Sequence, residues 1–159
     1  MPRLFGSLAA VSDLGEKTGC MYCVLDRRTG EIVVGPTMLG EISDPEKKDR
    51  YTELCQEKAT RLLENPDHAL SWQSRDEAND KWGGAMDDGR YNWSVSGLTE
   101  EQDEALSIMG AHRCGQIYNG APPGYAEVSN NQIILGNPPL FWMDHEGEEP
   151  AEEEAGDEQ

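Results

Sequence analysis

The sequence predicts an α+β fold, a sandwich in which an antiparallel sheet carries two main helices, and three observations lead there. Runs rich in β-branched, aromatic and other apolar residues come in two pairs, at 20–34 and 69–96. Each pair is followed by a segment whose apolar residues recur at helical spacing. The order strand, strand, helix, strand, strand, helix is that of two helices packed on an antiparallel sheet. With 159 residues, the chain has room for one domain with a modest core.

Residues 1–18 carry little pattern and read either as a brief helix through Leu4, Leu8 and Val11 or as a mobile arm. The domain proper is expected over 19–143. It opens with CMYCVLD and EIVVG, two strands joined by a turn in which Gly30 takes a positive φ. Ser43 and Glu46 have the spacing of a capping box, and Pro45 suits a first helical turn. Tyr51, Leu54, Cys55, Ala59, Leu62 and Leu63 then continue an amphipathic helix of about five turns, which Asn65-Pro66 ends. Ala69–Ser74 reads as a short strand and RDEANDK as a connector or a single helical turn. Gly83-Gly84 breaks the chain, and Asp88-Gly89 turns it into the alternating strand 90–96. Gly97 stops that strand. Thr99 starts a second helix, with Gln102 completing a capping box, Glu100 and Glu101 at the favourable end of the helix dipole, and Gly115 as the stop. From about 116 a C-terminal extension follows, with NGAPPGY as a loop and AEV and QIIL as two short strands. Leu140, Phe141 and Trp142 are expected to pack back on the domain or on a partner.

The chain has 13 Lys and Arg against 31 Asp and Glu, a net charge of −18. Nine of the acids and no Lys or Arg lie in 144–159, which leaves the first 143 residues at −9. The last 16 residues therefore read as an acidic, disordered tail. So much negative charge repels phosphate backbones and anionic lipid, which argues against direct nucleic-acid binding and membrane-surface docking. No stretch approaches the roughly 18 apolar residues of a membrane span, and the N-terminus lacks a signal-peptide core, so a cytoplasmic protein is expected. Its four cysteines are too few and too irregular for a disulfide scaffold.

The segments Cys23–Val33, Lys58-Ala59-Thr60, Gly83-Gly84 and Val95–Ala105 occur in the order of four family motifs. The first resembles the "V-D-x-x-G" hairpin of the GlcG/HbpS, or haem-degrading domain, family. The others are similar to its "K-A" helix, its "G-G-x-P" turn and its "V-S-G … D-E" junction. The resemblance covers about residues 20–115, with Ala85-Met86 standing where the family has proline and its neighbour. It implies a profilin-like sandwich, usually a homo-oligomer, that binds a small molecule, with haem, other tetrapyrroles or iron among the ligands.

The junction around Ser96, Gly97 and Thr99 has its own physical case. A glycine after a strand turns the backbone sharply, and free N–H groups at a helix start hold small anions. Against this stands a purely structural turn and cap, with Glu100 and Glu101 already at the dipole. Lys58, Gly83 and Gly84 join Ser96, Gly97 and Thr99 as ligand-binding candidates. Lys58 also reads as an exposed cation, because Glu57 and Arg61 flank it, and neither Lys58 nor Ser96 has an adjacent base visible in the sequence. Cys20 and Cys23 have the C-x-x-C spacing of a zinc or redox site, but residues three apart on a strand point to opposite faces, so small buried core residues are the plainer reading. His112 is a candidate haem or iron ligand, or simply a cation at the helix C-terminus.

The leading expectation is a small-molecule-binding accessory protein of the GlcG/HbpS type. Two alternatives stand beside it, an acidic interaction or inhibitor protein that binds a basic partner, and a cofactor-free lyase or isomerase on the same fold. The enzyme alternative requires a buried polar pocket near Ser96 and Lys58.

Overall fold

In the computed structural model, residues 2–118 and 120–137 are described. The acidic tail and Leu140–Trp142 lie outside them. The elements in chain order are α1 (Pro2–Ala9), β1 (Gly19–Asp26), β2 (Ile32–Gly40), α2 (Pro45–Glu64), β3 (Ala85–Asp87), β4 (Tyr91–Ser96), α3 (Glu100–Arg113), α4 (Ala121–Ser129) and α5 (Gln132–Gly136). All strand pairs are antiparallel, in the order β2-β1-β4-β3. The α+β sandwich expected from the sequence is the fold observed.

Strand alternation divides the interior. On β1, Cys20 and Val24 pack in a large core with Leu4 and Leu8 of α1 and Leu106, Ile108 and Met109 of α3. Met21, Cys23 and Leu25 point the other way, into a small cluster with Cys55 and Ala59 of α2. The two long helices therefore cover opposite faces of the sheet. Residues 2–9 form the helix that was one of the two readings of the N-terminal segment, and Leu4 and Leu8 are buried.

The β1–β2 turn is built as expected. The Asp26 carboxylate accepts the N–H groups of Arg28 and Thr29 at 2.8 and 3.1 Å, and Gly30 sits at φ +74°. Those two hydrogen bonds hold the Asp26 carboxyl below the ordinary aspartate value.

Four local expectations are corrected. The α2 cap is Asp44 rather than Ser43, with its carboxylate accepting from Glu46 N–H and Lys47 N–H while Pro45 takes the first helical turn. Ala69–Ser74 is not a strand: Ser71–Ser74 makes a 3-10 turn closed by Gln73, and only Leu70 bridges to Met86. The pairing strand is instead 85–87, hidden in the sequence by its three-residue length. APPGY and AEV, expected as parts of a loop and a strand, form α4, because Pro122 and Pro123 fall in a first helical turn, where a missing N–H costs nothing. QIIL is likewise helix α5, capped by the Asn131 side chain, which accepts from Ile133 N–H at 3.2 Å. Short apolar runs fit either period, and here burial of Ile133 and Ile134 in the large core decides.

Candidate functional site

Lys58 is the most deeply buried charged side chain of α2, at 1% exposure, so the exposed-cation reading is wrong. It lies three residues after Cys55 and one before Ala59, on the stripe of α2 that faces the sheet. Its flexible stem carries the ammonium to the end of β4, where Nζ donates to Val95 O at 2.9 Å and to Asp103 Oδ2 at 3.1 Å. Asp103 comes from α3 on the opposite face, so the ion pair joins the two helical layers. Its other oxygen accepts Leu98 N–H at 3.0 Å. Burial raises the Asp103 pKa above the ordinary aspartate value, while Lys58 and the backbone donors of Leu98 and Gly97 pull it back down.

Gly84 makes this passage possible. It sits at φ +121°, and a Cβ there would lie 2.7 Å from Asp103 Cβ and 2.8 Å from Lys58 Nζ. Any larger residue would occupy the space in which the pair meets. Gly83, next to it, donates its N–H to Glu100 Oε1 at 2.6 Å, and the second Glu100 oxygen is 3.3 Å from Arg75. The Gly-Gly turn is thereby tied to the start of α3.

The strand-to-helix junction closes on itself. Thr99 Oγ1 accepts Gln102 N–H at 3.3 Å, Gln102 Oε1 accepts Thr99 N–H at 3.2 Å, and Asp103 accepts the Leu98 N–H before them. Of the two readings of this junction, the structural one accounts for the Leu98, Thr99 and Gln102 N–H groups, which are already engaged. Gly97, at φ +133°, lets the chain pass under the Tyr51 ring, since a Cβ there would lie 2.9 Å from Tyr51 Cδ2.

Beside this junction lies a cleft of about 350 Å³, inside the usual range for small-molecule sites. Lys58, Ser96, Gly97 and Thr99 all line it, with Asp103. Its outer wall is made by side chains that no sequence motif marks: Lys17, Arg50, Tyr51 and Trp82. Lys17 Nζ donates to Tyr51 OH at 2.9 Å, and Arg50 Nη2 and Trp82 Nε1 both donate to Asp80 Oδ1, at 2.9 and 2.7 Å. The region is a polar cleft with aromatic walls and an exposed rim at Lys17 and Arg50. The chemistry it offers is Lys17, with Arg50 paired to Asp80, beside two aromatic rings, over a floor in which Lys58 and Asp103 pair and Glu100 adds a carboxylate.

The other candidates fall elsewhere. His112 is in the last turn of α3. At 1.5 Å per residue, that is roughly 20 Å from Thr99 along the helix, so the structure does not bring it to the cleft. Cys20 and Cys23 point to opposite faces, and both are buried, as the plain reading holds; Cys55 is buried too, but Cys114 is exposed. Among the described residues, no group of three or more His, Cys, Asp or Glu is placed to hold a metal ion. No described helix is long and apolar enough to cross a membrane.

No family model matches the chain, nor does any curated protein or solved structure. The GlcG/HbpS family thus gains no support beyond the four short motifs read in the sequence. Asp103, the acid of the "D-E" in the junction motif, lines the cleft although it is not among the sequence candidates. Its signal was the spacing Gly97 to Asp103, which puts a carboxylate one turn into a helix that follows a glycine hinge.

Proposed function

We propose that the protein binds a small planar organic anion in the cleft beside the junction at Ser96. One observation carries this reading. Four of the residues picked from the sequence, Lys58, Ser96, Gly97 and Thr99, line a single cleft whose exposed cations, Lys17 and Arg50, stand beside Tyr51 and Trp82. In a chain of net charge −18, Lys17 on the rim, with Arg50 beside it able to exchange its Asp80 partner for a ligand, favours an anion, and aromatic walls favour a flat one. The paired floor of Lys58 and Asp103 would set the cleft's shape, and the affinity would come from its outer wall. The GlcG/HbpS-type ligands, haem and other tetrapyrroles, carry carboxylates on a planar ring and are the large members of this class. Their propionates would meet Lys17 and Arg50, with the ring against the aromatic walls.

The test is titration with haem, protoporphyrin IX and smaller aromatic carboxylates, read by quenching of tryptophan fluorescence. Saturable binding at micromolar concentration is expected, weakened about tenfold by Lys17→Ala, roughly what losing one charged hydrogen bond costs. Absence of saturable binding across the series would overturn the proposal.

A further inference from the structure

Cys23 of β1 and Cys55 of α2 are far apart in sequence, and the spacing of the cysteines does not pair them, yet their sulfurs are 3.3 Å apart. The Cys55 thiol donates to Cys23 Sγ and to Ser94 O, and Cys23 Sγ lies 3.6 Å from Cys55 O. The backbones approach closely here because the contact is made of small side chains. Ser94 Oγ donates to Cys55 O at 2.7 Å, and one turn further on Asn92 Nδ2 donates to Ala59 O at 3.0 Å, so α2 lies with its carbonyls against the side chains of β4. Two sulfurs held in van der Waals contact between a strand and a helix need to move by only about 1.3 Å to reach bonding distance.

We propose that Cys23 and Cys55 are an oxidisable dithiol that closes to a disulfide between β1 and α2 on reaction with hydrogen peroxide. In the first step peroxide oxidises one thiol: an S–O bond forms, the O–O bond breaks and a water leaves, giving a sulfenic acid. In the second step the neighbouring sulfur attacks the sulfenic sulfur, the S–S bond forms, and the hydroxyl leaves as a second water with the remaining thiol proton. Two thiols and one peroxide become one disulfide and two waters. Hydrogen peroxide is small and uncharged, so brief openings of the α2 layer admit it. Burial pushes the Cys55 thiol up, which keeps it protonated at rest and makes closure slow. Cys20 serves as the internal control, since it points to the opposite face.

The experiment uses the full chain carrying Cys114→Ser, which leaves three cysteines and no exposed thiol to cross-link molecules. The protein is treated with hydrogen peroxide, quenched with catalase, unfolded in N-ethylmaleimide and weighed, and its peptides are mapped. The expected result is loss of two hydrogens, one maleimide adduct at Cys20, a peptide joining Cys23 to Cys55, and return of all three adducts after dithiothreitol. Cys55→Ser in the same background keeps two alkylable thiols after the same treatment. Three adducts after prolonged oxidation, a cross-link through Cys20, or sulfinic and sulfonic acids without a cross-link would each overturn the proposal.

Discussion

On one face of the sheet, α3 lies over Trp93 and Val95 with Leu106, Ile108 and Met109 buried, and α1, α4 and α5 extend the same apolar layer. On the other face, α2 meets β4 through Asn92 and Ser94, which hydrogen-bond to helix carbonyls, and sends Lys58 and Arg61 into the interior. Arg61 is 3% exposed and is held by Ser74 O, Trp82 O and, at 3.0 Å, Glu57. The apolar face draws its stability from area removed from water, which is non-directional and tolerates exchange of one hydrophobe for another. The polar face depends on direction, because each buried donor there needs its own acceptor. A cleft whose floor keeps its shape belongs on the second kind of face. There the positions of Lys58, Asp103 and Gly84 are fixed by bonds of definite length.

If direction governs the polar face, leaving one of its charges without a partner should do the most damage. Lys58→Ala strands the Asp103 carboxylate, which is buried to 2% exposure, and should cost about 3–5 kcal/mol in urea denaturation. Lys58→Met with Asp103→Asn removes both charges, while the asparagine oxygen still accepts Leu98 N–H, and should recover most of that loss. A single-variant cost below about 1 kcal/mol would mean that the pair does not organise the junction.

On the apolar face, the matching change is Leu106→Ala. Leu106 is fully buried against the sheet, and its truncation removes transfer energy and leaves a cavity, for about 2–5 kcal/mol. Leu106→Met, similar in volume, should cost under about 1.5 kcal/mol. A leucine-to-methionine cost as large as the alanine one would show that this face, too, is fixed by direction rather than by area.

The same contrast explains what could be read from the sequence. The hairpin of β1 and β2, the helix α2, the strand β4 and the capped helix α3 all carry local signals, such as turn glycines, caps and a period sustained over several turns. Lys58, Ser96, Gly97 and Thr99 were legible as candidates because glycines and caps mark the junction. Lys58 was nevertheless assigned to the surface, since periodicity sorts residues by hydrophobicity and its partner Asp103 is 45 positions away. The Cys23–Cys55 contact is equally non-local. The outer wall of Lys17, Arg50 and Trp82 comes from three separate segments, none with a motif. In α4 and α5 the runs are too short for period to decide, and burial against α3 settles them.

A smaller change is expected from a carboxylate where the two kinds of face meet. Glu104 sits on α3 in the apolar layer, 2% exposed, with one oxygen accepting from Ser129 Oγ and, at 3.0 Å, from Asn131 Nδ2. Burial raises its pKa, and those two hydrogen bonds offset part of the rise. A raised carboxyl holds its proton to higher pH when folded than when unfolded. Stability from this group is therefore complete below the unfolded value, about 4.5, and is lost as pH rises from there through the folded value. Glu104→Gln keeps Oε1 for both donors and removes the charge. The variant should gain on the order of 1 kcal/mol over the parent at pH 7, the usual scale for relieving one imperfectly compensated buried polar group. That gain should vanish below pH 4.5, where the parent carboxyl is neutral in both states. Urea denaturation of both proteins at pH 4 and pH 7 measures it. A variant less stable than the parent at pH 7 would show that the ionised carboxylate is held better than the neutral amide, and that the apolar layer tolerates a charge there as the polar layer tolerates Lys58.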